Sequence, residues 1–363
     1  MSINIKITRP IYIRSGAGKS YKSLGVINPG NDTITMDGVE DGESWKGLGR
    51  WYYKYNDEGI KQYYWEGGTN TVSKLHWSLR LLGIDKLWNV TKGDDVKIAI
   101  IDSGIDINNS DLFPFIGYNV LDKTENVKDI FYHGTYCAAI AKSRGNFGVY
   151  GVAPNSTLIP IKVQNNDIAE PQDQVAGIKK AIELGADIIS ISYGRTEENT
   201  SISEVLKLAM DRGIICIAAA GNNRGSTVQY PANTKGMISV GSVACSDPDL
   251  NHPIFIKSLK SAGGLQSENK EGVTIVAPGD GLITYDEFGK IVSHIKGTSY
   301  AAPFVAGIAA LWLSQAKKKE NTYGNAHQEF RSIITRTATK NIVPFEQNFL
   351  GAGLINPESI INL

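Results

Sequence analysis

The chain has 363 residues, 42% of them apolar, and its 37 basic side chains balance 37 acidic ones for a formal net charge of 0. That length carries one large domain and a small one, and a chain without a net positive field offers nothing to draw nucleic acid or an anionic membrane. No apolar run reaches the length of a membrane span, and Cys137, Cys216 and Cys245 have no paired short spacing, so neither a zinc site nor a disulfide framework is indicated.

Residues 1–70 read as a small all-β domain. Turn signals recur at Pro29-Gly30-Asn31-Asp32, Asp37-Gly38 and Asp41-Gly42. The aromatic run Trp51, Tyr52, Tyr53 and Tyr55 leads through Asn56-Asp57-Glu58-Gly59 to Tyr63, Tyr64 and Trp65, the pattern of a hairpin. The stretch Ile11-Tyr12-Ile13-Arg14-Ser15-Gly16-Ala17-Gly18 resembles the opening of bacterial Src-homology-three-type barrels. That resemblance implies a binding partner such as a peptide or cell-wall fragment. The alternatives are a barrel that binds the rest of its own chain and one that simply packs on its neighbour. Residues 71–76 read as a linker. The first ten residues alternate like a strand and lack a basic region followed by an apolar core and a cleavage site. The expected location is therefore the cytoplasm, with secretion the alternative had a signal been trimmed away.

From residue 77 the periodicity changes. Trp77 to Trp88 has helical spacing. Apolar strands follow at Val96–Ile101, Leu158–Val163, Asp187–Ser192, Ile214–Ala220 and Gly236–Gly241. Between them lie helices that stop at Gly185 and at Gly213, the second opening on a capping-box spacing at Ser201-Ile202-Ser203-Glu204. Continuous apolar strands separated by helices predict an α/β fold with a mainly parallel sheet covered on both faces. In such sheets sites form beyond the carboxyl ends of the strands. Asp102, Ser192-Tyr193-Gly194 and Gly221-Asn222-Asn223 fall there.

Gly297-Thr298-Ser299-Tyr300-Ala301-Ala302-Pro303 opens a helix of small and apolar residues, with Thr298 a candidate cap and Pro303 tolerated near the helix start. A Ser there sits where backbone N–H groups and the helix dipole favour negative charge. Acyl transfer by such a Ser needs a base, a carboxylate to orient it and donors for an oxyanion. His133-Gly134-Thr135, Asp102 and Asn222 supply those types.

The order Asp, His, Ser is that of subtilisins. Residues 77–363 resemble the subtilisin-like serine proteases in Ile100–Asp106, Tyr132–Thr135, Ala218–Asn222 and Lys296–Pro303, with Gly151-Val152-Ala153-Pro154 and Ala277-Pro278-Gly279 between them. The resemblance implies an endopeptidase acting on protein or peptide substrates, with no cofactor required for the chemistry. Ser299 would be the nucleophile, His133 the base and Asp102 its orienting carboxylate. Asn222 and the Ser299 N–H would bind the oxyanion.

Ser192-Tyr193-Gly194 matches the segment that pairs with substrate as an added strand. Ala219, Ala220 and Gly221 match one wall of the pocket for the residue before the scissile bond. The floor matches Thr227–Pro231, where Gln229 replaces the common Gly and predicts a shorter, more polar pocket. The family often binds calcium through an Asp after the catalytic one. Asp111 is the weak candidate here, but the Ser143–Gly148 loop is short, Arg144 brings a cation and too few oxygen ligands are at hand, so no metal ligand set is assigned. Two rivals remain: a narrow peptide-processing or transpeptidating relative, and a binding scaffold whose triad is idle.

Overall fold

The structure is a computed structural model. It describes residues 76–361, apart from short stretches at 167, 226, 248–253, 265–266, 287–288 and 320–323, and the backbone of seven strands before residue 67. The chain divides into two units, Met1–Ser73 and Lys74–Leu363.

The strands of the first unit are β1 (Ile3–Lys6), β2 (Ile11–Arg14), β3 (Ser23–Ile27), β4 (Thr33–Met36), β5 (Gly38–Ser44), β6 (Gly47–Tyr55) and β7 (Lys61–Glu66). The order β3-β2-β7-β6-β5 is antiparallel throughout, and β1 pairs with β4. The two aromatic runs are partners, with Tyr52 opposite Tyr64. Closure into a barrel, the side chains of this unit and the linker before His76 lie outside the described residues.

In the second unit the segment read as one helix is two, α1 (Trp77–Leu81) and α2 (Ile84–Leu87). Gly83 between them has φ +67°, a left-handed conformation that ends a helix and that Gly adopts without a Cβ clash. Then come β8 (Lys97–Asp102), β9 (Tyr118–Asn119), α3 (His133–Lys142), β10 (Thr157–Lys162), α4 (Pro171–Glu183), β11 (Ile188–Ile191), α5 (Thr200–Asp211), β12 (Ile215–Ala219) and β13 (Ile238–Asp247). The chain continues through β14 (Ile254–Lys257), β15 (Ile275–Pro278), β16 (Asp280–Tyr285), β17 (Ile291–Lys296), α6 (Thr298–Lys318), α7 (Ala326–Thr337), α8 (Gln347–Leu350) and α9 (Pro357–Ile361).

The main sheet runs β14-β13-β12-β11-β8-β10-β9, with β15 added to β13. Its pairings are parallel except β13–β14. Strand alternation explains why both faces are covered. Ile98 and Ile100 of β8 face the layer holding α3 and α6, whereas Ala99 and Ile101 face the layer holding α4 and α5. Each Ile buried this way contributes roughly 1.5–3 kcal/mol. The result is the three-layer α/β fold expected of subtilisin-like chains. Among the described residues no helix is long and apolar enough to cross a membrane.

Two helix starts differ from the sequence reading. α5 begins at Thr200, and its cap is the Asn199 side chain, which accepts from the Ile202 N–H at 3.2 Å, not the Ser201 box. α6 begins with Thr298 inside it, and Gly297 takes the cap position without a side-chain bond. The Thr298 hydroxyl is used elsewhere, as the site shows.

Strand β8 lies between β10 and β11, and the chain crosses from one side of it to the other between those two strands. Such a reversal opens a crevice at the carboxyl ends. Asp102 is the last residue of β8.

Candidate active site

Asp102 is fully buried and accepts from three directions. His133 Nδ1 lies 2.9 Å and 3.0 Å from its two oxygens, the Ser103 N–H bonds Oδ1 at 2.8 Å, and Gln164 Nε2 reaches Oδ1 at 3.4 Å. A carboxylate can only accept, so the imidazole proton sits on Nδ1 and leaves Nε2 with its lone pair. The His133 side chain is 20% exposed, its outer edge open to a substrate.

His133 is the first residue of α3, and two neighbours fix that helix start. Gly134 N–H bonds Ser103 Oγ at 2.9 Å. Buried Asp129 accepts from Phe131 N–H (3.0 Å), Tyr132 N–H (2.8 Å), Thr135 N–H (2.9 Å) and Thr135 Oγ1 (2.7 Å). These bonds satisfy donors that a helix N-terminus otherwise leaves orphaned. They also hold Tyr132 at φ 67°, unusual for a residue with a side chain. Gly134 is sterically required, because a Cβ there would run into the Gly104 carbonyl and lie 3.1 Å from Asp102 Cβ. Its absence lets α3 approach β8 closely enough for the Asp102–His133 bond.

Ser299 is the second residue of α6. Pro303 is four residues on, inside the helix, and has no N–H for the Ser299 carbonyl. Ser192 Oγ (2.8 Å) and Cys137 Sγ (3.3 Å) donate to that carbonyl instead. The cost of the proline is thereby offset by two side chains from distant elements, and the Ser299 backbone is pinned. Burial, and then the charge of Asp102, push the Cys137 thiol well above its usual range, so it stays protonated. The rings of His133 and Tyr300 lie 5.8 Å apart, which brings the start of α6 against His133.

Asn222 follows the end of β12 and faces solvent. Its Oδ1 accepts from Thr298 N–H (2.9 Å) and Thr298 Oγ1 (3.1 Å), while Thr298 Oγ1 accepts from Gly221 N–H (3.1 Å). A backbone N–H cannot accept, so the amide orientation is determined and Nδ2 is the end left over. Tyr300 N–H is bonded to the Gly297 carbonyl (3.1 Å). Between the bonded N–H groups of Thr298 and Tyr300, the Ser299 N–H has no acceptor among the described residues. Two unused donors, Asn222 Nδ2–H and Ser299 N–H, thus belong to residues lining the same cleft.

His133, Gln164, Ser192, Tyr193, Gly194, Ala219, Gly221, Asn222, Gln229 and Ser299 line one cleft of about 320 Å³, with Asp102 beneath it. The structure therefore brings together the residues read as catalytic and most of those read as substrate-binding. Ala220 is fully buried and packs on the opposite face of β12 with Ala218, because strand alternation sends only Ala219 to the cleft side. Of the expected floor only Gln229 lines the cleft, and Tyr230 is buried. Sequence reading missed Gln164 and Asp129, which match no short motif. A larger hollow of about 900 Å³, walled by Glu198, Lys207, Asp211 and Arg331, holds the ion pair Lys207–Asp211 (2.6 Å), and its His327 has both ring nitrogens bonded to backbone, at the Cys216 N–H (3.3 Å) and the Gly236 carbonyl (2.8 Å).

The calcium candidate does not fit a cation. Asp111 is fully buried, and both of its oxygens are taken: Oδ1 by Asn146 N–H (3.0 Å), Oδ2 by Phe147 N–H (3.1 Å) and Tyr285 OH (2.7 Å). Calcium needs six to eight oxygen ligands, and these donors present hydrogens where it would sit. The nearby cation is not Arg144 alone. Buried Lys142 donates to the Phe113 carbonyl, and burial, aided by Arg144 and opposed by Asp111, pushes its pKa down to about 7.

Residues 93–353 match the family model described as the subtilase family. The chain belongs to the subtilase family of serine proteases. As a subtilase it is 32% identical over 262 residues to the thermophilic serine proteinase of Bacillus sp. (strain AK1), an alignment covering 70% of this chain and 60% of that protein. It is 30% identical over 289 residues to the major intracellular serine protease of Bacillus subtilis (strain 168), covering 75% of this chain and 85% of the relative. Among solved structures, that of the prenylagaramide maturation protease PagA superposes with TM-score 0.63 at 24% identity, covering 77% of this chain and 97% of that one. At that identity the likeness speaks for the fold.

Proposed function

We propose that this subtilase hydrolyses peptide bonds through an acyl-enzyme. Ser299 Oγ attacks the scissile carbonyl carbon while His133 Nε2 takes its proton. Asp102 stabilises the imidazolium and holds its tautomer. The new oxyanion receives the Asn222 Nδ2–H and Ser299 N–H bonds. The tetrahedral intermediate collapses as His133 returns the proton to the leaving amine. Water, deprotonated by the same imidazole, then releases the acid product. The observation that supports this reading most is the pair of unused donors, Asn222 Nδ2–H and Ser299 N–H, in the cleft that His133 and Ser299 also line. Ser192, Tyr193 and Gly194 offer an edge for an extended substrate, and Gln229 closes the cleft floor. No step is assigned to a metal.

The peptide-processing and transpeptidating readings use the same residues and differ in what resolves the acyl-enzyme. Product masses after digestion of a defined peptide in ¹⁸O-water test this. Label in the new carboxyl terminus supports hydrolysis, and a ligated product overturns it. The balanced charge supports a protein or peptide partner over nucleic acid, and the intracellular relative supports a cytoplasmic setting. The first unit is proposed to bind a peptide, a cell-wall fragment or the catalytic cleft itself.

A further inference from the structure

We infer that Gln229 is the specificity-determining residue of this cleft and restricts the residue before the scissile bond to glycine, alanine or serine. This rests on the endopeptidase reading above. With the substrate carbonyl oxygen on Asn222 Nδ2 and Ser299 N–H, the α-carbon of that residue is two bonds from the oxygen. Its side chain would then extend along the cleft lining that includes Gly221, Ala219 and Gly194, the two glycines both lying against Gln229.

Both glycine walls face Gln229. A Cβ built on Gly221 would collide with Gln229 Oε1 and lie 2.6 Å from its Cγ and Cδ, and one on Gly194 would lie 3.1 Å from Oε1 and 3.2 Å from Cβ. The glutamine stem therefore occupies the slot that the two missing side chains create. It is tied to both walls. Gln229 N–H bonds the Ala220 carbonyl at 2.8 Å, beside Gly221, and the next residue, Tyr230, exchanges bonds of 2.8 Å and 3.0 Å with Arg195, beside Gly194. These ties hold the Cα and Cβ in place, so rotation moves only the outer atoms. Among the described residues the carboxamide makes no hydrogen bond, and it stays in the slot as a polar plug. An aromatic or branched side chain has no room beside it, whereas a methyl or hydroxymethyl does.

The test uses the full chain, with active sites counted by fluorophosphonate labelling, and peptide p-nitroanilides that differ only in the residue before the scissile bond. Wild type is expected to cleave after Ala at least about 10-fold faster, as kcat/KM, than after Phe or Leu. Gln229→Gly empties the slot and is expected to raise cleavage after Phe by on the order of 30-fold, the value of burying an aromatic side chain. Gln229→Met, similar in length but without the amide, is expected to keep the small-residue preference, which separates volume from polarity. Labelled wild-type enzyme that cleaves after Phe as well as after Ala overturns this inference alone. So does a Gln229→Gly enzyme with an unchanged Phe/Ala ratio. If neither labelling nor cleavage of any substrate occurs, the endopeptidase reading falls, and this inference with it.

Discussion

Asn222 has two ends with two separate jobs, which makes it a sharp probe of the mechanism. Oδ1 holds the first turn of α6 through Thr298, and Nδ2 is the donor that the proposed mechanism assigns to the oxyanion. Asn222→Ala removes both. The lost donor is expected to cost about 100- to 1,000-fold in kcat, or ~2.7–4 kcal/mol, a range measured within this same family. The lost tie to α6 is expected to cost about 1 kcal/mol of stability, the usual value of a helix-start acceptor. Asn222→Asp separates the two jobs. It retains an acceptor for Thr298, so the melting temperature should stay near wild type, but it places a carboxylate oxygen where the donor stood. Two like charges 4 Å apart at an effective dielectric near 20 repel by about 4 kcal/mol. The Asp variant should therefore be slower than the Ala variant although it is more stable. The assay is kcat and KM on a chromogenic peptide alongside thermal unfolding. An Asp variant within 10-fold of wild type in kcat would refute the assignment of Nδ2.

Three further outcomes follow from other parts of the site. Asp129→Ala strips four bonds from the start of α3 and should lower kcat more than 10-fold with little change in KM, measured well below the variant's unfolding temperature; wild-type kcat would refute its positioning of His133. A mercurial should inhibit the enzyme through Cys137, whose Sγ lies within 4.8 Å of the ligand atoms of Asp102 and His133, and Cys137→Ala should be resistant; undiminished inhibition of that variant would place the reactive thiol elsewhere. Lys142 is a base whose folded pKa, about 7, is below its unfolded value, so the unfolded chain binds more protons from pH 7 upward and stability should rise with pH. In an inactive Ser299→Ala background, the stability of the chain relative to its Lys142→Met variant should grow by up to about 1.4 kcal/mol per unit between pH 7 and 9, the slope for one proton. Above that window the buried thiol of Cys216 and phenol of Tyr285, both pushed up by burial, oppose the trend, because the unfolded chain ionises first. Equal pH slopes for the two chains would refute the Lys142 assignment.

Asp102 and Asn222 were legible because each stands just beyond an apolar strand, and such junctions show in local pattern. Asp102 closes the run Val96–Ile101, and Asn222 closes a run of alanines. The supporting contacts were not legible, because each joins positions far apart in the chain. Gln164 reaches Asp102 across 62 residues, and Cys137 reaches the Ser299 carbonyl across 162. Nothing in the periodicity of either segment marks those encounters. Thr298 was misread as a cap for the same reason, since its hydroxyl serves Asn222, 76 residues away. Ala220 was misplaced because three successive alanines hide the strand alternation that an Ile–Ser pair would reveal. Gln229 was legible as a departure from Gly. That it fills the slot between Gly194 and Gly221 became visible only when two loops more than 25 residues apart in sequence were seen face to face.

The most direct test of the central claim, that Asp102, His133 and Ser299 act as one catalytic unit, is reaction of the full chain with a fluorophosphonate probe and location of the adduct by mass spectrometry. The expected result is a single adduct on Ser299 that is lost in Ser299→Ala and strongly slowed in His133→Ala. An adduct on another residue, labelling of Ser299 that is indifferent to His133, or no adduct at all, would contradict it.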